Sequence, residues 1–104
     1  MERKLTTIFA SDVVGFSKMM GLNELKTLQI LKERRRMIDK IIEEHDGIIF
    51  GSAGDSVIAE FSSPLKAAEA AVTTQHSMKI MNQGKEEFEQ MNFRVGINIG
   101  DVMV

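Results

Sequence analysis

The residues of this sequence best suited to chemistry are two aspartates. Asp12 lies in Ser11-Asp12-Val13-Val14-Gly15-Phe16-Ser17, and Asp55 lies in Gly54-Asp55-Ser56-Val57. The first follows an apolar run over residues 5–10 that reads as a buried strand. The second sits where Ile48-Ile49-Phe50 and Val57-Ile58-Ala59 turn back on each other. If these strands are neighbours in one sheet, both carboxylates meet at one edge of it. Two carboxylates held close repel, so such a site either shares a proton or binds a divalent cation. The adjacent glycines leave backbone N–H groups accessible to an anion such as phosphate. Together the two segments point to a metal–phosphate site. Each aspartate also has a plain structural reading, Asp12 as a strand-ending turn residue and Gly54-Asp55 as a common hairpin pair. Their joint placement is what favours a site.

The elements that must position them follow from hydrophobic periodicity and punctuation. Residues 5–14 are rich in Thr, Ile, Phe and Val and predict a strand, with 15–21 as a connection. Leu25, Leu28, Leu31, Ile38, Ile41 and Ile42 follow helical spacing over residues 23–45, with Asn23 as N-cap and Asp46-Gly47 as the stop. The stretch Lys32-Glu33-Arg34-Arg35-Arg36 interrupts that stripe, which leaves either two helices or one bent helix. Residues 47–50 and 56–61 predict two strands joined by a tight hairpin over 51–55. Ser63 caps a second helix with Pro64 at its first position; its inner stripe is Leu65, Ala68, Ala71, Val72, Gln75 and Met78, and Gly84 ends it. Residues 85–92 read as a polar connector. Residues 93–104 predict a last strand with a turn at Gly100-Asp101. The order β-α-β-β-α-β predicts an α+β, ferredoxin-like fold, an antiparallel sheet with helices on one face.

Composition narrows the chemistry. At 104 residues the chain holds one domain at most. With 13 basic and 15 acidic residues it has no polycationic character, which argues against nucleic acid as a partner. The absence of cysteine removes disulfides, thiolate metal sites and cysteine nucleophiles. His45 and His76 lack any zinc-site spacing, so a metal here would be a hard cation on oxygen, Mg²⁺ or Mn²⁺. The charged start Met1-Glu2-Arg3-Lys4 precedes only a short apolar run, and no stretch approaches a membrane span, so a cytoplasmic protein without membrane contact is expected. Val104 follows an apolar run directly, as if a longer domain had been cut after its fourth strand.

Other features have ordinary readings. Lys32, Arg34, Arg35 and Arg36 share a helix with Glu33, Asp39, Glu43 and Glu44 and predict a solvated, salt-bridged face. His45 suits a helix C-terminus, and His76 a surface. The eight methionines read as core and interface filler. Arg94 is expected at a strand end, paired with an acidic neighbour rather than with phosphate. An RNA-binding module of the same fold would stack bases on sheet aromatics; Tyr and Trp are absent here.

Three ordered segments resemble class III nucleotidyl cyclases over nearly the whole chain. Residues 7–17 look like that family's first metal-binding motif and residues 47–61 like its second. Phe93-Arg94-Val95-Gly96-Ile97-Asn98-Ile99-Gly100-Asp101-Val102 is similar to its Arg-x-Gly-Ile-x-x-Gly strand. The resemblance implies that Asp12 and Asp55, with the Val13 carbonyl, ligate two Mg²⁺ or Mn²⁺ ions. It implies that backbone N–H groups of Val14, Gly15, Phe16 and Ser17 cradle the phosphates of ATP or GTP, with Gly54 beside Asp55 completing the nucleotide site. The activity implied is formation of cAMP or cGMP and pyrophosphate by two-metal catalysis at a head-to-tail dimer interface. Two departures stand out. Gly51 occupies the place of a lysine that commonly reads the purine, which leaves ATP and GTP undistinguished. The acidic purine contact, asparagine and arginine that the family carries further on have no counterpart before Val104. The expectation is therefore a partial catalytic domain, a dimer or larger assembly, inactive by itself. The alternative is a non-catalytic cyclase-like module that binds nucleotide or regulates.

Overall fold

The computed structural model describes the backbone of residues 3–103 and the side chains of residues 5–100. Four strands, β1 (Arg3–Val13), β2 (Ile48–Ala53), β3 (Ser56–Phe61) and β4 (Phe93–Met103), pair antiparallel in the order β2-β3-β1-β4. Helices α1 (Phe16–Leu22), α2 (Glu24–Glu44) and α3 (Pro64–Asn82) and a short 3₁₀ turn (Glu87–Glu89) complete the chain. Alternation decides the sheet's two faces. Phe9, Val13, Val57, Ala59 and Phe61 are buried together with Ile38, Ile41, Ile42, Ala67, Ala70 and Met78, while Ala10 on the opposite face is exposed. The Phe9 and Phe61 rings, from adjacent strands, stand 5.9 Å apart, a spacing favourable for tilted aromatic pairs. The ferredoxin-like arrangement expected from the sequence is thus the one observed. Among the described residues no helix is long and apolar enough to cross a membrane.

Several local expectations need correction. Residues 15–21 are not a bare connection: they contain α1, which Gly15 opens at φ 69 and whose Phe16 and Met19 pack against the core. Asn23 ends α1 through its backbone N–H on Met19 and starts α2 by accepting the Lys26 N–H at 3.0 Å. Helix α2 is a single continuous helix. Its buried stripe is Thr27, Ile30, Arg34, Ile38, Ile41 and Ile42, whereas Leu25 is 71% exposed. The expected solvated face therefore holds for Lys32 and Arg36, and Arg35 pairs with Asp39 at 2.7 Å, but Arg34 turns inward.

Helix α3 likewise buries Ala67, Ala70, Thr74 and Met78 and leaves Leu65, Ala68 and Val72 outside. Small residues on its inner face let the helix lie close to the sheet. The β2–β3 loop is only Gly54-Asp55, because β2 runs on to Ala53 past a bulge between Ile49 and Gly51. Strand β4 continues straight through Gly100-Asp101, which pair with Thr6 and Leu5, so no turn forms there. Val104, to which that strand was expected to reach, lies outside the described residues.

The end of α2 shows how local geometry fixes sequence. The Gly47 N–H donates to the Ile42 carbonyl at 2.8 Å and the Asp46 N–H to Glu43 at 3.1 Å, the bonds of a Schellman cap. The left-handed position is Asp46, at φ 64, not the glycine. Gly47 is required for a different reason: a Cβ there would stand 2.5 Å from the Phe61 ring and 2.7 Å from Ile42. Both neighbours are themselves buried and have no room to yield. Gly47→Ala is expected to lower stability by about 1–3 kcal/mol, the usual range for overpacking, in equilibrium urea unfolding.

Candidate active site

Strand β1 is flanked by β3 on one side and β4 on the other, so its C-terminal end receives residues from both. Ser11 lies opposite Val57 of β3 and Val95 of β4, and Asp12 lies opposite Arg94. Asp55 sits in the two-residue loop that precedes β3. Gly54 takes φ +57 there, a conformation that suits glycine, and so aims Asp55 back toward β1. The Asp55 Oδ2 accepts the Val13 backbone N–H at 2.9 Å. The Asp12 Oδ1 accepts from Arg94 Nε at 2.8 Å. Arg94 therefore pairs with an acidic neighbour, as the sequence suggested. The hydrogen bond and charge of Asp12 raise its pKa, and the charge of Asp55 adds to this. The guanidinium thus lies in the field of both carboxylates.

These groups open onto a cleft of about 570 Å³ lined by Asp12, Val13, Gly15, Phe16, Ser17, Lys18, Asp55, Ser56 and Arg94. Most of the residues singled out from the sequence are in it. Two are not. The Val14 N–H is committed to the Asn92 carbonyl at 2.8 Å, so it anchors the loop instead of facing a phosphate. Gly54 shapes the turn without lining the cleft. Among the described residues, the N–H groups of Gly15, Phe16 and Ser17 have no backbone acceptor. A Cβ on Gly15 would meet nothing within 4 Å, so its left-handed backbone, not crowding, is what calls for glycine. Sequence reasoning missed Lys18, which reaches the cleft only because α1 forms, and Asn92, whose role depends on a backbone carbonyl and leaves no side-chain signal. A second cavity of about 520 Å³, with Gln75, Asn82, Gln83, Gln90 and Asn92 in its wall, offers amides but no carboxylate or imidazole.

The donor set bears on what metal could fit. Among the described residues no cluster of three or more His, Cys, Asp or Glu forms. Asp12 and Asp55 each retain an oxygen not used in the bonds above, and both are hard donors. That set fits Mg²⁺ or Mn²⁺, which commonly take one or two carboxylates and complete their coordination with waters and substrate phosphates. It does not fit a dedicated, all-protein metal cage.

Comparison with known proteins gives the family. Residues 2–104 match the family model described as the adenylate and guanylate cyclase catalytic domain. The chain belongs to that family. The cyclase-type sheet superposes on an adenylate/guanylate cyclase/hydrolase from Silicibacter pomeroyi with a TM-score of 0.86 at 36% identity, over 96% of this chain and 59% of that one. The adenylyl cyclase CyaB from P. aeruginosa gives 0.81 at 25% identity, covering 96% and 58%. A protein of Rhizobium meliloti (strain 1021) named as an adenylate cyclase is 35% identical over 105 residues, which is all of this chain and 18% of that protein. The chain thus spans somewhat over half of the solved cyclase domains and under a fifth of that longer relative.

The Asp12–Arg94 pair makes a prediction about this cyclase domain. A cation approaching Asp12 competes with the guanidinium, whose side chain is 71% exposed. Arg94→Met removes the competitor and is expected to tighten Mn²⁺ binding by up to about fivefold, the range of an exposed ion pair worth up to ~1 kcal/mol. Titration calorimetry with Mn²⁺ alone reads this directly.

Proposed function

We propose that this chain is a metal- and triphosphate-binding portion of a class III nucleotidyl cyclase domain, which forms cAMP or cGMP and pyrophosphate from ATP or GTP. The observation that carries the reading is the meeting of Asp12 and Asp55 in one cleft with the free N–H groups of Gly15, Phe16 and Ser17. In this reading the unused oxygens of Asp12 and Asp55, with the Val13 carbonyl, hold two Mg²⁺ or Mn²⁺ ions. Bound there, the ions supply Lewis-acid stabilisation of phosphate charge and a lowered pKa for the attacking ribose 3′-hydroxyl.

The chain's own residues bind and orient. The three N–H groups fix the triphosphate, and Lys18 adds a positive charge at the cleft's edge. The Val13 N–H keeps Asp55 turned toward Asp12. Arg94 offsets part of the carboxylate repulsion before a cation arrives.

The reading includes a division of labour. The asparagine and arginine that the family uses at the transition state have no counterpart in residues 1–104, which we take as a partial catalytic domain. They would come from further chain or from a second subunit. Loss of one such contact costs about a hundredfold or more in rate, so residues 1–104 alone are expected to be inactive. Exposed Ile48 and Phe50 on the edge strand β2 support self-association, since an apolar edge strand favours pairing with another chain. A cytoplasmic place of action, where ATP and GTP are available, belongs to the same reading. Gly51 favours a second one, a cyclase-like module that binds without turnover. Its missing side chain leaves Ile58 as the nearest neighbour, at 3.5 Å from a notional Cβ, and puts no donor there for a purine.

Both readings need a metal–triphosphate site, and one experiment tests it. Calorimetry with α,β-methylene ATP and its guanine counterpart in Mn²⁺ is expected to show binding that disappears without the metal and in both Asp12→Ala and Asp55→Ala. A well-folded chain that binds neither analogue would count against the metal–triphosphate reading. Cyclic nucleotide formation by residues 1–104 alone would count against the division of labour.

A further inference from the structure

Arg34 is the largest fully buried side chain, 1% exposed, and among the described residues no carboxylate pairs with it. Burial lowers its pKa. A buried cation without a counter-ion is costly, and an apolar side chain of similar volume would fill the space without that cost. Stability alone therefore does not account for an arginine here. What the guanidinium supplies is directed hydrogen bonding across three elements.

Its Nη1 donates to the Met91 carbonyl at 2.9 Å, and its Nη2 to Asn82 Oδ1 at 2.7 Å. Asn82 in turn donates from Nδ2 to the same Met91 carbonyl at 3.1 Å and accepts the Met91 N–H on Oδ1 at 3.0 Å. Met91 is thus held at both its N–H and its C=O. One residue further on, the Asn92 carbonyl accepts the Val14 N–H at 2.8 Å. The neighbouring Val13 N–H is the one that holds Asp55. A hydrogen-bonded path runs from α2, through the end of α3 and the segment before β4, to Val14, next to the Val13 N–H that lines the cleft.

We propose that Arg34 is a positioning residue for the cleft. By fixing Met91 and Asn92 it holds Val14, and through Val14 it sets the spacing of Asp12 and Asp55 that a divalent cation and a triphosphate require. The inference rests on the metal–triphosphate reading above. It adds a residue on α2, outside the cleft and outside the three motifs, whose effect on the site is indirect.

The test compares Arg34→Met and Arg34→Lys with the unsubstituted chain. Three readouts are taken: cooperative urea unfolding, amide hydrogen exchange at Val14 without metal, and Mn²⁺-dependent binding of α,β-methylene ATP. Arg34→Met is expected to unfold cooperatively and to keep Phe9 and Val57 protected. Its Val14 amide should exchange about tenfold faster or more, and its analogue affinity should fall about tenfold, the lower end of what outer-shell changes cost metal sites. Arg34→Lys, which retains a donor for the Met91 carbonyl, should recover part of both losses. A folded Arg34→Met with Val14 protection and analogue affinity unchanged overturns the proposal, and so does failure of both variants to fold, which would make the role structural. If the unsubstituted chain binds no analogue, the metal reading fails separately and Val14 exchange alone decides the positioning role.

Discussion

Everything at the site depends on β1 being bonded along both edges. A strand held by β3 on one side and by β4 on the other cannot slip by one residue without turning all its side chains over. Such a slip would send Asp12 into the core and Phe9 to the open face. The pairing of Phe9 with Ala59 and Ile97 therefore fixes where Asp12 emerges as surely as any contact Asp12 makes itself. Arg94 comes from one neighbouring strand and Asp55 from the loop before the other, so the charges that meet at the cleft are brought there by sheet register together with the Gly54 turn.

The loop after β1 treats its backbone donors in two ways. Val13 and Val14 give theirs to Asp55 and Asn92, while among the described residues those of Gly15, Phe16 and Ser17 have no backbone acceptor. The division follows from geometry. Val13 still lies in the ladder, opposite Phe93, and Gly15 is where the chain leaves it with a positive φ. The two satisfied donors make the start of the loop rigid. In the proposed role, a loop start fixed in this way holds the other three donors in place for an anion, a form of preorganisation that lowers the cost of binding.

Much of this was legible in the sequence, and the reasons are local. Asn23 and Ser63 are N-caps whose side chains accept the Lys26 and Lys66 N–H groups, as their residue types suggest. The paired aspartates were visible because each follows or precedes an apolar run and sits by a glycine. Hidden were the features in which residue type and environment disagree. Arg34 and Thr27 belong to the inner stripe of α2, and a reading that follows apolar residues alone rotates the helix toward Leu25 and Leu28. In α3 the inner positions are Ala67, Ala70 and Thr74, so the bulky Leu65 and Val72 drew the predicted stripe to the wrong side. Helix α1 is seven residues long, too short for periodicity to declare itself. The Gly100-Asp101 turn failed because glycine permits a turn without requiring one, and pairing with Thr6 and Leu5 holds the backbone extended.

The longest ladder among the described residues joins β1 to β4, with Asp12 and Arg94 separated by 82 positions. Contacts so distant along the chain must meet the entropy of closing a large loop before they return any stabilisation, and topologies rich in them fold slowly. During synthesis the β2–β3 hairpin and α2 can take shape while β1 still lacks one partner. Only when β4 leaves the ribosome does β1 gain its second edge, Val14 its acceptor and Asp12 its counter-charge. The order of biosynthesis therefore makes the cleft wait for β4, after the β2–β3 hairpin and α2.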